Sequence, residues 1–160
     1  MRVSEALPPA ITRAVRIRLG GTPISADKKP ARVLIVEDNE FLAVDLEMTL
    51  SSCGYEPTVV GTVSAALQKI GRREVDVAVL DVSLLGGESV YRVADALTGV
   101  NVPFVFLTGR NRHHLPPRLR TAKLLSKPYK LAELLGVLQE AGAYPTPTQK
   151  DPANDGKESH

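Results

Sequence analysis

Glu37-Asp38, Asp81, Thr108-Gly109 and Lys127 each stand at the end of a short apolar run. Three carboxylates brought close together repel, and the cost is tolerable only with a cation among them. Hard oxygen ligands favour Mg2+ or Mn2+. Mg2+ keeps several waters and is commonly shared with a phosphate, so an open acidic cup suits it. A carboxylate is also a nucleophile able to form an acyl phosphate. The metal and the Lys127 ammonium would offset charge on the transferring group. Thr108 would donate its hydroxyl to a phosphoryl oxygen, and Gly109 has no side chain to block approach. Singly, each residue is ordinary: an Asp caps turns and helices, and a Lys is commonly a solvated charge. The chemistry depends on their meeting.

Alternating strands and helices would bring them together. Residues 32–37 hold Val-Leu-Ile-Val, a continuous apolar run suited to a buried strand. Leu42, Leu46, Leu50 and Cys53 then recur at helical spacing, and Gly54 stops that helix. Residues 56–60 read as a second strand. Val63, Ala66, Leu67 and Ile70 mark a second helix, again stopped by glycine. Residues 75–80 form a third strand, and Val90, Val93, Ala94 and Leu97 a third helix. Residues 102–107 and 123–126 supply two more strands. Leu131, Leu134, Leu135 and Leu138 give the last helix, ending near Gly142. Such alternation with short connections builds a parallel sheet covered by helices on both faces. Five strands in this length suit the flavodoxin-like α/β order 2-1-3-4-5, whose crevice lies at the carboxyl ends of strands 1 and 3. Every residue singled out above then lies on one rim.

Of the 160 residues, 43% are hydrophobic, enough for a packed core. Charge is uneven: residues 1–30 carry six Lys/Arg against two acids, and residues 31–142 twelve against thirteen. A nearly neutral domain is no nucleic-acid footprint. The single cysteine, Cys53, permits no internal disulfide, fits a reducing compartment and has the spacing of a core residue. No apolar run could span a membrane, so a cytoplasmic location is expected. Residues 1–30, interrupted by Pro and Gly, read as a flexible extension. Residues 143–160 read as a disordered tail, leaving 31–142 as the domain.

The runs Val33-Leu34-Ile35-Val36-Glu37-Asp38, Val79-Leu80-Asp81-Val82, Phe106-Leu107-Thr108-Gly109 and Lys127-Pro128 resemble the receiver (CheY-like) domain of bacterial response regulators. The resemblance implies that Asp81 is the phosphoacceptor, served by a histidine kinase or a histidine phosphotransfer protein. Glu37, Asp38 and Asp81 would hold Mg2+ or Mn2+, with the backbone carbonyl of Ser83 completing the protein ligands. Thr108, Gly109 and Lys127 would meet the phosphoryl group. The Lys127–Pro128 bond would be cis. The chain would be a stand-alone receiver rather than an enzyme with its own substrate, acting as a signal output or a phosphate sink.

Two features depart from that family. Three residues before the lysine, where many receivers carry a Tyr or Phe that rotates inward, stands Leu124. Tyr129 is the nearest aromatic and is expected to pack at the start of the last helix. Between Thr108 and Lys127, Pro116-Pro117 breaks any continuous helix. A short, irregular or mobile segment is therefore expected in place of a regular fourth helix. Leu124, Pro116-Pro117 and the 103–109 run resemble the FAT GUY subfamily of stand-alone receivers, which tends to work with kinases of the HWE type. The segment also carries Arg110, Arg112, Arg118, Arg120 and Lys123, a candidate switch or partner surface. His113-His114, without further ligands, does not make a metal site. A pure interaction module is the competing reading, and the intact acid pair, acceptor and lysine oppose it. A metal-dependent hydrolase would want a second acid two residues past the nucleophile, where Ser83 stands. The basic extension offers no helix-turn-helix for DNA.

Overall fold

The computed structural model describes residues 29–84 and 89–146; the expected extension up to 28 and tail from 147 lie outside them. Strands and helices follow in order as β1 (Arg32–Val36), α1 (Glu40–Ser52), β2 (Glu56–Val60), α2 (Val63–Gly71), β3 (Val77–Asp81), α3 (Tyr91–Gly99), β4 (Phe104–Thr108), β5 (Lys123–Ser126) and α4 (Leu131–Glu140). All strand pairs are parallel, in the order β2-β1-β3-β4-β5. This is the flavodoxin-like, CheY-like arrangement expected from the alternation.

The period-2 geometry of the strands divides the core between two faces. Leu34, Val36, Ala78, Leu80 and Phe106 point to the layer made by α2 and α3. Val33, Ile35, Val77, Val79, Val105 and Leu107 point to the layer made by α1 and α4. Both sides of the central strands are therefore dry, which is why they read as continuous apolar runs rather than alternating ones. Each such aliphatic side chain contributes about 1.5–3 kcal/mol on burial, so register is firmly set. Val36 pairs with Leu80, Asp81 with Leu107 and Thr108 with Ser126. The residues just past these pairs end level with one another on one rim.

Asn39 starts α1. Its side chain accepts from the backbone N–H of Phe41 (3.0 Å) and of Leu42 (3.2 Å). Replacing a capping Asn by Ala typically costs about 1 kcal/mol. Asn39→Ala should therefore lower stability by about that amount in urea unfolding, with Asn39→Asp restoring most of it.

The inward face of α1 differs from the one expected. Ala43, Leu46 and Leu50 are buried, whereas Leu42 is 43% exposed. Cys53 follows the helix as its C-cap and is half-buried against the α1–α4 layer, as its spacing predicts. Gly54 does terminate α1. Its φ is +86°, and a Cβ there would meet the Thr146 carbonyl oxygen. After α2 and α3 the left-handed turn falls on Arg73 (φ 57°) and Asn101 (φ 58°), two residues beyond Gly71 and Gly99.

Residues 143–146, expected in a disordered tail, pack on the domain. Tyr55 donates its hydroxyl to the Ala143 carbonyl, Ala31 N–H donates to Tyr144, and Thr146 N–H donates to Gly54. β2 is an edge strand. Glu56 N–H donates inward to the Ala31 carbonyl (3.0 Å), so Pro57 next to it turns its donorless nitrogen outward.

No regular helix joins β4 to β5. Two 3-10 turns, Arg112–His114 and Pro117–Leu119, stand there instead, as Pro116-Pro117 predicts. The segment is tied down by its own cations. The Arg112 guanidinium donates to the carbonyls of Arg120 (3.0 Å) and Ala122 (2.9 Å). Arg120 donates to the Leu115 carbonyl, Arg118 pairs in a two-pronged contact with Asp95, and Lys123 pairs with Glu140. Four of the five cations read as a candidate partner surface thus bond within the domain, and only Arg110 shows no side-chain bond among the described residues.

Candidate functional site

Asp81 ends β3, is 3% exposed, and lies between two strand ends. Its Oδ2 accepts from the Lys127 ammonium at 2.7 Å. Its Oδ1 accepts from the Ser83 backbone N–H (2.8 Å) and from the Ser83 hydroxyl (2.6 Å). Glu37, equally buried, follows β1. Its Oε1 accepts from Asn39 N–H (3.0 Å), while Oε2 is buried without a hydrogen bond and lies 4.0 Å from Lys127 Nζ. The ammonium therefore sits against one carboxylate and within reach of the other. Thr108, buried at the end of β4, anchors this side of the rim. Its carbonyl accepts from Lys127 N–H (2.8 Å), and its hydroxyl accepts from Arg110 N–H (3.0 Å). The Lys127–Pro128 bond is cis. Gly109 faces open space: a Cβ there would meet nothing within 4 Å.

Two close buried carboxyls cannot both ionise cheaply. Glu37 is pushed up from 4.5 to about 7, mainly by burial and then by Asp81 beside it. Burial also works to raise Asp81. The neighbouring Glu37, which keeps the pair's proton, together with Lys127 and Ser83, outweighs that and holds Asp81 below its ordinary range. In the metal-free protein the folded state retains the Glu37 proton where the unfolded chain has lost it. Stability should then fall as pH rises from 4.5 to about 7 and level off above. Asp81 acts in the opposite sense, at the acid end below 3.8. Glu37→Gln should flatten the upper slope and leave the acid limb in place, as read by unfolding at a series of pH values in chelator.

The site residues named from sequence divide three ways. Asp81, Glu37, Lys127 and Thr108 meet as expected. Asp38 follows Glu37 and is half-buried. Among the described residues no three His, Cys, Asp or Glu side chains gather to hold a metal. Lys127 supplies the positive charge between Asp81 and Glu37. Of the switch residues, Arg110 is exposed, and Leu124 is half-buried against the α2–α3 layer. Tyr129 packs in the α1–α4 layer just before α4. Its phenol is raised by burial and by the charges of Asp45, Glu37 and Asp81. Ser83, expected to act through its carbonyl, also donates its hydroxyl to Asp81. The Asp-x-Ser spacing, in which a side chain bonds backbone two residues on, carried that signal.

No family model matches the chain. It is 33% identical over 106 residues to the sensory transduction protein RegX3 of Mycolicibacterium smegmatis, across 64% of this chain and 46% of that protein. It thus spans about half the length of that relative. Among solved structures it is similar to SdrG from Sphingomonas melonis, at 35% identity over 74% of this chain and 98% of that one, with a TM-score of 0.61. A BeF3-activated conformation of SdrG from Pseudomonas melonis gives 38% identity over 67% and 94%, with a TM-score of 0.58. A putative response regulator from Chloroflexus aurantiacus gives 28% over 71% and 98%, with a TM-score of 0.62. The fold, the acid-and-lysine rim and these likenesses define a receiver of two-component signalling. The chain belongs to the response regulator receiver (CheY-like) family.

Proposed function

We propose that this chain accepts a phosphoryl group on Asp81 from a phosphohistidine of a histidine kinase or phosphotransfer protein. The observation that carries this reading is the buried Asp81 carboxylate, held ionised with its Oδ2 2.7 Å from the Lys127 ammonium. A carboxylate oxygen attacks phosphorus, the P–N bond to the imidazole breaks, and an acyl phosphate forms. The imidazole leaves with the electron pair and takes up a proton. Lys127 would offset charge on the phosphoryl oxygens, and the Thr108 hydroxyl would donate to one of them while still accepting from Arg110 N–H.

The buried, unbonded Oε2 of Glu37 beside Asp81 is a hard oxygen donor that suits Mg2+ or Mn2+. Glu37, Asp38, Asp81 and the Ser83 carbonyl would hold the ion, which neutralises charge on the phosphoryl group when bound. The BeF3-activated form of SdrG supports this reading by likeness, since a beryllium trifluoride on a carboxylate imitates an acyl phosphate. The likeness to SdrG over nearly that whole chain supports a role carried by the receiver itself, through protein contacts or as a phosphate sink. Leu124 and the broken segment before β5 support the FAT GUY subfamily and a kinase of the HWE type. No helix among the described residues is long and apolar enough to cross a membrane, and we place the protein in the cytoplasm. It is not an enzyme with a separate substrate.

With Leu124 in place of a ring, readout falls to residues 109–122, joined to the site through Arg110 N–H on Thr108. The test is Mg2+-dependent labelling with a small acyl phosphate, followed by intact mass, with Asp81→Asn as control. Labelling that survives this substitution, or none at all, would overturn the reading.

A further inference from the structure

The outer face of α1 is apolar where a solvated helix would be polar. Phe41 is 88% exposed, Met48 67% and Val44 52%. At about 100° per residue these three fall within one narrow stripe, directly opposite Ala43, Leu46 and Leu50. Contiguous exposed apolar side chains rimmed by charge are the pattern of a contact surface. Its borders are acidic: Asp45 on one side, Glu40 and Glu47 on the other, and α1 has no Lys or Arg. None of these three acids makes an ion pair among the described residues.

The same chain carries the complement. Residues 10–19 place Ile11, Val15, Ile17 and Leu19 among Arg13, Arg16 and Arg18, with no acid. Three positive charges thus accompany an apolar set, against three negative charges beside an apolar stripe. The chain also joins the domain at the right place. Ala31 bonds to Glu56, a few residues past the end of α1. From there residues 20–30 can reach about 36 Å when extended, and α1 is only about 20 Å long. The whole stripe is within range.

We propose that residues 10–19 dock on the Phe41–Val44–Met48 face of α1 in the same molecule. Apolar burial supplies most of the contact, and the arginines set its place beside Glu40, Asp45 and Glu47. The affinity is modest and salt-dependent, because rim charges are screened. α1 begins two residues after Asp38, so the docked segment borders the acidic rim. For its consequence, though not for its existence, the proposal rests on the function above: a protein donor approaching Asp81 over α1 must displace the segment, whereas a small acyl phosphate need not.

The test uses the full chain, 15N-labelled, with Cys53→Ala and a nitroxide on Val15→Cys. Amides of Phe41, Val44 and Met48 are expected to broaden while those of α3, across the sheet, do not. Arg13→Glu, Arg16→Glu and Arg18→Glu together, or high salt, should abolish the effect. The untagged chain with the same three substitutions should show shift changes confined to the α1 face, which guards against a perturbing label. Uniform or absent broadening with an unmoved α1 overturns the proposal and leaves the face to another protein. Broadening that appears when spin-labelled and 15N-labelled chains are mixed also overturns it, and assigns the face to a second copy. None of these readouts uses Asp81, so they stand or fall separately from phosphorylation. Where both readings hold, the three substitutions speed transfer from a protein donor and leave labelling by a small acyl phosphate unchanged.

Discussion

Asp81→Asn is expected to reduce Mg2+-dependent labelling by an acyl phosphate to background while the fold persists. The amide keeps the shape of the carboxylate, so the β3 end and its neighbours remain packed. It can still accept from Ser83, whose N–H and hydroxyl both address Oδ1. What it lacks is the charge and the nucleophilic oxygen that an acyl phosphate requires. Glu37, the neighbouring buried carboxyl, is pushed up to about 7 and accepts from Asn39 N–H. A far-ultraviolet spectrum like that of the parent, with no mass gain, is the expected pair of results. Labelling that moves to another residue would show that the site, rather than Asp81 itself, is the nucleophile.

The second large effect is expected at Lys127. Methionine in its place keeps the length of the stem and removes the charge that lies 2.7 Å from Asp81 and 4.0 Å from Glu37. Removing one preorganised donor to a developing charge typically costs about 10^2–10^3 in rate. Labelling of Lys127→Met should therefore slow by about two orders of magnitude in a time course by intact mass. Two buried carboxyls would also face each other without compensation. Loss of a hydrogen bond to a charged group costs about 1.5–3 kcal/mol, which urea unfolding would detect. The partly exposed position of Lys127 puts the value at the lower end. The backbone bond from Lys127 N–H to the Thr108 carbonyl survives the substitution, so the rim should keep its shape. Lys127→Arg retains charge but not the compact ammonium, and it should restore stability more fully than rate. Equal labelling by Lys127→Met and the parent would remove the lysine from the chemistry.

Much of this site was legible because a parallel sheet places function at strand ends. Each central strand is an apolar run whose last apolar residue is easy to find, so Glu37, Asp81 and Thr108 could be assigned to one rim, and Lys127 follows the short edge strand β5 beside them. The irregular stretch before β5 was legible because two adjacent prolines remove two backbone donors. The face of α1 was not. Leu42, Leu46, Leu50 and Cys53 make as regular a stripe as the true one, and only packing shows that small Ala43 faces the sheet while Leu42 turns toward water. The cations of residues 110–123 misled for a related reason. A run of arginines resembles a solvated or partner surface until carbonyl acceptors such as those of Arg120 and Ala122 are in view. The packed stretch 143–146 was hidden because its bonds are from backbone groups, which composition does not reveal.

Pro57 on the edge strand has a consequence for how copies of this protein coexist in a crowded solution. An open sheet offers its outermost strands as templates on which another strand can grow. β2 is such a strand, and its outward row of donors has a gap at Pro57, where no N–H exists. A neighbouring strand aligned there meets a carbonyl with no reciprocal donor. The sheet thereby resists extension from one molecule into the next along the β2 edge.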